Sequence, residues 1–174
     1  MKATKDLTII GLYTALLIGG QIALAGVSGV EIVTLLITAF AFYFGVIRGT
    51  VLATVFSVMR CFVFGFFPNI LILYLVYYNL FAVVIGLIGK AMNRELNLKK
   101  HILVVLAVAL LTIIFTLLDN IITPNFFGYT SDAAKAYWVA SLTAVIPQTI
   151  CAVVSVGLLN MPLVKLFDKL KLNK

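Results

Sequence analysis

Long apolar runs recur along the whole chain, about one every 20 to 25 residues, as expected where each run crosses a bilayer as an α-helix. The polar segments between them are short and leave no room for a separate soluble domain. Hydrophobic residues make up 63% of the 174 positions and charged residues 11%, far from the balance of a soluble globular domain. The sequence therefore predicts an all-α membrane protein with one domain over residues 1–174.

Six transmembrane spans can be drawn from the apolar runs, and they are expected to form one bundle. Their bounds are Leu7 to Ala25, Ile32 to Ile47, Thr50 to Phe67, Ile70 to Gly89, Ile102 to Ile122 and Val139 to Leu163. The second and third spans are short, and a tight turn is predicted between them at Arg48-Gly49. A short turn is also predicted at Pro68-Asn69.

A longer loop is predicted from Thr123 to Trp138, where turn-forming residues and aromatic residues are mixed. Such a composition suits a structured lid over a pocket. An interfacial aromatic belt is the alternative, and it explains Tyr137 and Trp138 equally well.

The basic residues predict the orientation of the chain. With six crossings, eleven of the thirteen Lys and Arg residues fall on one side, and only Arg60 and Lys135 lie elsewhere. The eleven are Lys2, Lys5, Arg48, Lys90, Arg94, Lys99, Lys100, Lys165, Lys169, Lys171 and Lys174. Because cytoplasmic loops carry an excess of basic residues, both termini are predicted to be cytoplasmic. The net charge of +7 is then a topology signal and does not indicate nucleic-acid binding.

Four small residues in the first span, Gly11, Ala15, Gly19 and Ala23, are spaced four positions apart and form one smooth stripe on a helix. Small residues let two helices approach backbone to backbone in a membrane, so we interpret the stripe as a docking face. Packing within the bundle and homodimerisation are alternatives. The run also has the features of a secretory signal peptide, but its length and regular stripe favour a retained span.

Polar side chains inside the spans are costly in hydrocarbon, so they indicate either bundle packing or a binding site. Most of them lie in the half away from the basic side, which predicts a pocket that opens outward. The candidate pocket residues are Glu31, Arg60, Tyr74, Tyr78, Asn79, Asp119, Asn120, Asn125, Trp138 and Gln148. Arg60 is expected to pair with Glu31 or Asp119, or to contact the ligand directly.

The aromatic and acidic candidates favour a planar ligand with hydrogen-bond donors. Tyr78 and Trp138 suggest stacking on a ring, while Glu31 and Asp119 suggest hydrogen bonds to a ring N–H or an amine. These features favour a nitrogen heterocycle, such as a thiamine-, pterin-, flavin- or purine-like compound.

The chain has no G-x-S-x-G, H-E-x-x-H or Walker A motif, and its one histidine, His101, lies on the side opposite the carboxylates. We therefore expect no enzyme activity, metal or cofactor, and any ATP must be handled by another chain. Two other classes stay open. A self-sufficient transporter or channel should place ionisable groups through the full membrane depth, and a membrane enzyme acting on lipids should carry a nucleophile or metal set near one interface.

Over essentially its whole length the chain resembles the substrate-binding S component of an energy-coupling factor (ECF) transporter. The most specific pieces are the stripe from Gly11 to Ala23, the stretch Gly29-Val30-Glu31-Ile32-Val33-Thr34-Leu35-Leu36 and the entry Ala136-Tyr137-Trp138. The resemblance implies high-affinity capture of a vitamin or related micronutrient from outside a prokaryotic plasma membrane. It further implies delivery by toppling within the membrane and association with a membrane coupling subunit, which the stripe would meet, and two cytoplasmic ATPases.

Overall fold

Residues 2–26 and 32–170 are described by a computed structural model, and within these ranges the chain forms six α-helices and no β-strand. The helices are α1 (Lys2–Leu24), α2 (Val33–Phe44), α3 (Val46–Phe64), α4 (Pro68–Ala91), α5 (Leu98–Phe127) and α6 (Ser131–Lys169). The predicted all-α class is confirmed. Five of these helices are long and apolar enough to cross a membrane, and α2 is the exception.

Helix α2 is the buried centre of the bundle. All of its 12 residues are buried, and it packs against α1, α3, α4 and α6. At about 1.5 Å per residue it is only about 18 Å long, well short of a bilayer core. The predicted span from Ile32 to Ile47 is therefore too long. Gly45 ends α2 with φ 89° and ψ −179°, a conformation that is open to glycine and strained for other residues.

The turn predicted at Arg48-Gly49 is wrong, because both residues lie inside α3. Gly49 instead allows close helix packing, since a Cβ atom there would lie 3.0 Å from the Cβ of Ala41. Helix α4 approaches the junction of α2 and α3 in the same way. A Cβ on Gly86 would lie 2.7 Å from the backbone nitrogen of Val46, and one on Gly89 would collide with the backbone carbonyl of Phe42.

The loop predicted from Thr123 to Trp138 is also wrong, because most of this segment is helical. Helix α5 continues to Phe127, and Gly128 then takes a left-handed conformation with φ 61°. Helix α6 begins after Thr130, whose side chain accepts a hydrogen bond from the backbone N–H of Ala133. A turn of three residues therefore stands where a lid was expected.

The turn predicted at Pro68-Asn69 lies slightly too late in the chain. The break between α3 and α4 covers residues 65–67, and Pro68 is the first residue of α4. Proline fits this position because the first N–H of a helix has no intrahelical partner.

The two ends of the bundle differ in composition. One end, which we call the basic end, holds the start of α1, the junction of α2 and α3, and the end of α6. Asp6 is 3.0 Å from Arg48 there, and the Tyr43 hydroxyl donates to the backbone carbonyl of Phe167. The opposite end, which we call the aromatic end, carries exposed aromatic rings between α3 and α4, at the last residue of α5 and in the turn that follows it. They are Phe66, Phe67, Phe127 and Tyr129.

Candidate functional site

Two neighbouring cavities lie among α3, α4, α5 and α6 toward the aromatic end. The first, the Arg60 cavity, has a volume of about 230 Å³, and Arg60, Tyr74 and Asp119 are among its lining residues. The second, the Gln148 cavity, has a volume of about 190 Å³ and is lined by Gln148 and by small residues of α6. Phe115, Asp119 and Tyr137 line both cavities and so form the wall between them.

A chain of hydrogen bonds runs through this wall. Asp119 Oδ1 accepts from the Thr123 hydroxyl at 2.6 Å, and Asp119 Oδ2 accepts from the Tyr137 hydroxyl at 2.7 Å. The Asn69 amide donates in turn to the Thr123 hydroxyl at 3.3 Å. The local sequence explains part of this geometry, since residues 119 and 123 are one helical turn apart on α5. Each carboxylate oxygen is thus held by a donor from the protein.

Arg60, unlike Asp119, is not fully hydrogen-bonded by the described residues of the protein. Its guanidinium carbon lies 4.6 Å from the ring centre of Tyr74 and 5.1 Å from that of Phe64, so it makes cation–π contacts with both rings. Its Nε atom is buried without a hydrogen-bond partner in the described ranges. No carboxylate in residues 2–26 and 32–170 lies within ion-pair distance of Arg60, although Asp119 lines the same cavity. Of the alternatives expected for Arg60, the pair with Asp119 is not formed, the pair with Glu31 lies outside the described residues, and contact with a ligand stays a prediction.

The second cavity is supported by a buried amide on α5. Asn120 donates to the Ser141 hydroxyl at 2.7 Å, and that hydroxyl donates to the backbone carbonyl of Trp138 at 2.8 Å. The Asn120 Oδ1 atom is buried and has no hydrogen-bond partner in the described part of the chain. Ser141 and Gln148 lie two turns apart on one face of α6, and both line this cavity.

The structure brings four of the predicted pocket residues together. Arg60, Tyr74, Asp119 and Gln148 line one or both cavities. Two more lie directly behind the walls. Asn120 holds Ser141, and the buried ring of Tyr78 packs edge-on against Tyr74 with ring centres 5.0 Å apart.

The other predicted pocket residues lie elsewhere. Asn79 accepts a hydrogen bond from Thr54 on α3 and donates to the Leu75 carbonyl, outside both cavities. Asn125 is exposed and donates to the Ile121 carbonyl. The Trp138 side chain lines neither cavity. Glu31 lies outside the described residues.

Several residues of the site were not among the predicted pocket residues. Tyr137 was assigned to a lid or an aromatic belt, whereas it lies in the first turns of α6 and closes the wall. Thr123 was assigned to the start of the same loop. The four-residue spacing from Asp119 to Thr123 was a usable signal, but only if α5 continued past Ile122. Phe115 looked like any other apolar residue of its span.

The cavities combine a cation, a carboxylate, an amide and aromatic faces, which is the equipment for binding a small polar molecule with a ring. Among the described residues, no three His, Cys, Asp or Glu side chains come together as a metal site would require. Comparison with family models, with curated proteins and with solved structures finds no match to the chain. The residues lining the cavities are therefore the basis for a functional proposal.

Proposed function

We propose that this protein is the membrane-embedded substrate-capture subunit of an ECF-type importer and binds a vitamin-like small molecule at the aromatic end. The observation that carries the proposal is the state of Arg60 and Asp119. Two opposite charges line one cavity without pairing with each other, and such an arrangement in a membrane bundle favours a third partner. A ligand that bonds to the guanidinium would be that partner.

The lining also favours a class of ligand. Arg60 offers hydrogen-bond donors to an acidic or carbonyl group, and the rings of Tyr74 and Phe115 offer faces or edges to a planar ring. Asp119 already accepts two hydrogen bonds from the protein, so it is better suited to orienting the site than to binding an amine. We propose a flat ring compound that carries an acidic or carbonyl group.

The volumes of the two cavities also restrict the size and position of the ligand. Each cavity alone is smaller than the roughly 300 Å³ at which ligand pockets usually begin. A vitamin-sized molecule would therefore occupy both, and the hydrogen bond from Tyr137 to Asp119 would open to admit it. The captured ligand would bridge α3 and α4 on one side and α6 on the other.

The stripe on α1 supports the proposal that the protein docks on a coupling subunit. Gly11, Ala15, Gly19 and Ala23 are all exposed, and Cβ atoms built on Gly11 and Gly19 would meet nothing within 4 Å. The opposite face of α1 is buried in the bundle through Leu17. Packing within residues 2–26 and 32–170 therefore does not use the stripe. In the proposed importer the aromatic end faces outward, and the termini and the ATPases lie in the cytoplasm.

The ligand is best tested by mass spectrometry of small molecules that stay bound to the full chain in mild detergent. We expect a bound compound with a ring and an acidic or carbonyl group, and we expect Arg60→Gln to reduce its occupancy at least tenfold because a charge-assisted hydrogen bond is lost. Lys135→Gln is the matched control. It removes the other basic residue of the aromatic half, which is highly exposed and lines neither cavity. Equal occupancy in the two variants would place the ligand elsewhere.

Docking is tested by pulldown of the ATPase subunits with Gly19→Leu, which would fill the stripe. We expect this variant to lose the ATPases while it keeps its bound small molecule. Gly157→Leu is the matched control, because Gly157 is also exposed on a helix with nothing within 4 Å of a built Cβ atom. Transport by the chain alone, without ATPases, would contradict the proposal and favour a self-sufficient transporter.

A further inference from the structure

A third cavity lies at the basic end, on the opposite side of the bundle from the candidate site. It has a volume of about 730 Å³ and sits between the start of α1, the junction of α2 and α3, and the end of α4. Four charged side chains line it, Asp6, Arg48, Lys90 and Arg94. The proposed substrate capture does not use this cavity.

The charges in this cavity are not balanced. Asp6 forms an ion pair with Arg48 at 3.0 Å. Lys90 and Arg94 form no ion pair with any described residue, so the cavity holds two positive charges in excess. Like charges that share a cavity repel each other, and an anion bound between them would remove that repulsion.

The start of α3 adds to this positive potential. The helix begins at Val46 after Gly45, and no side chain of the described residues caps its first N–H groups. A Cβ atom built on Gly45 would lie 3.3 Å from Nη2 of Arg94, which places that guanidinium against the helix N-terminus. A cation is unfavourable at this position, where the helix dipole favours an anion.

The backbone that carries Arg94 is itself unusual. Asn93 and Arg94 have φ values of 54° and 58°, in the left-handed region that non-glycine residues rarely adopt. The Arg94 N–H donates to the Gly89 carbonyl at 2.8 Å, which fixes this tight turn at the end of α4. The Arg94 guanidinium thus lies against the N-terminus of α3, although the Arg94 backbone is in a strained conformation and the dipole of α3 disfavours a cation there.

Two of the apolar lining residues are open to the surroundings, whereas Phe44 and Gly86 are buried. Ile47 is 80% exposed and Leu87 is 52% exposed, and both line the cavity. A free inorganic anion makes no favourable contact with such apolar side chains, whereas a lipid presents an anionic phosphate next to acyl chains. Basic pockets between helices at the cytoplasmic side of membrane proteins bind anionic headgroups in this way.

We propose that the cavity at the basic end binds the headgroup of an anionic phospholipid. Arg94, Lys90 and the N-terminus of α3 hold the phosphate, and the acyl chains run along Ile47 and Leu87. The bound lipid neutralises the two excess charges and ties together the ends of α1, α2 and α4. Lys90 and Arg94 are exposed, as Lys99 is, but the general tendency of basic residues to lie on one side of a membrane does not require them to line a cavity, and Lys99 satisfies it without lining any described cavity.

The test measures lipid retention by the full chain. Protein is reconstituted in phosphatidylcholine nanodiscs with a minor fraction of phosphatidylglycerol, extracted with mild detergent, and analysed for bound lipid by mass spectrometry. We expect selective retention of phosphatidylglycerol, reduced about 30-fold by the double variant Lys90→Gln/Arg94→Gln, since each basic contact is worth about a fivefold change in binding. The matched control Lys99→Gln/Lys169→Gln removes the same charge from exposed positions outside the cavity and is expected to retain the lipid as the wild type does.

Three results would overturn the proposal. Equal losses in the double variant and in its control would mean diffuse attraction without a site. No preference of the wild type for phosphatidylglycerol over phosphatidylcholine would exclude an anionic lipid. Binding of inorganic phosphate by protein in pure phosphatidylcholine nanodiscs, lost in Lys90→Gln/Arg94→Gln, would assign the cavity to a free anion. If the double variant does not fold, Lys90→Gln alone, with an expected fivefold loss, replaces it.

Discussion

The cavities at the two ends of the bundle differ in the balance of their positively and negatively charged lining residues. Toward the aromatic end, Arg60 and Asp119 balance each other in number, and protein donors already hold both oxygens of Asp119. At the basic end, Asp6 is the one carboxylate among four charged lining residues, and two cations have no ion-pair partner in the described ranges. A neutral, hydrogen-bonded site suits selective capture of a small molecule, whereas an excess of one sign suits attraction of an anion from the membrane surface.

The helices that build the two regions also differ. At the basic end, glycines bring α4 into backbone contact with the junction of α2 and α3. Toward the aromatic end, polar side chains link α4 to α5 and α5 to α6 by hydrogen bonds, Arg60 of α3 lies against the Tyr74 ring, and space is left between them. The first region is therefore closely packed, whereas the second contains hydrogen bonds that a ligand is able to exchange. Variants that act on one region alone test this difference.

The largest expected effect is that of Gly89→Ala, which adds a methyl group against the backbone carbonyl of Phe42. Because a backbone atom has little freedom to move, we expect a loss of about 3 kcal/mol in the free energy of unfolding, seen as a melting temperature lower by about 6 to 12 °C in detergent. Gly11→Ala is the control, since a Cβ atom there meets nothing within 4 Å. A melting temperature equal to that of the control would show that the junction is loosely packed.

The matched pair Asp119→Asn and Asp6→Asn compares the two carboxylates directly. Asp119→Asn leaves one acceptor oxygen for two donors, so we expect a loss of about 2 kcal/mol in stability together with loss of the bound small molecule. Asp6→Asn breaks a partly exposed ion pair, so stability should change by less than about 1 kcal/mol. It also raises the excess positive charge, and phosphatidylglycerol retention should increase. A decrease in phosphatidylglycerol retention in Asp6→Asn would contradict the proposal that the excess positive charge attracts the lipid.

The sequence was sufficient for the helical class and for four of the residues that line the two cavities, because both depend on composition and depth. Apolar runs of this length can satisfy their backbone groups in hydrocarbon only as helices or closed barrels, and the runs have no strand alternation. Arg60 and Asp119 stood out because charges inside apolar spans are rare. The six crossings and the orientation stay predictions, since one of the six helices is too short to span by itself.

The sequence failed where one residue type serves two purposes. The sequence does not distinguish Gly45 from Gly49, yet Gly45 ends a helix and Gly49 allows close helix packing. Likewise, the prolines, glycines and aromatics between Thr123 and Trp138 suggested a loop, although a proline within a helix is tolerated where neighbouring helices support it. Tyr137 was missed for that reason, because its position on α6 depends on where the helix begins.

The most specific test of the wall between the two cavities is the variant Tyr137→Phe. The variant removes only the hydroxyl that donates to Asp119, so we expect a loss of about 1 kcal/mol and a melting temperature lower by about 2 to 4 °C. Tyr129→Phe is the control, because the Tyr129 ring lies 6.0 Å from that of Tyr137 while its hydroxyl makes no hydrogen bond to a described residue.

Ligand occupancy separates a structural role of Tyr137 from a gating role. If the ligand fills both cavities, the bond from Tyr137 to Asp119 must break before binding, so its prior removal should leave affinity unchanged or raise it although the apo protein is less stable. A ligand confined to the Arg60 cavity would instead need this bond to hold Asp119 in place, and Tyr137→Phe would then weaken binding. The sign of the affinity change therefore decides whether the two cavities act as one pocket, and phosphatidylglycerol retention at the basic end should be unaffected in either case.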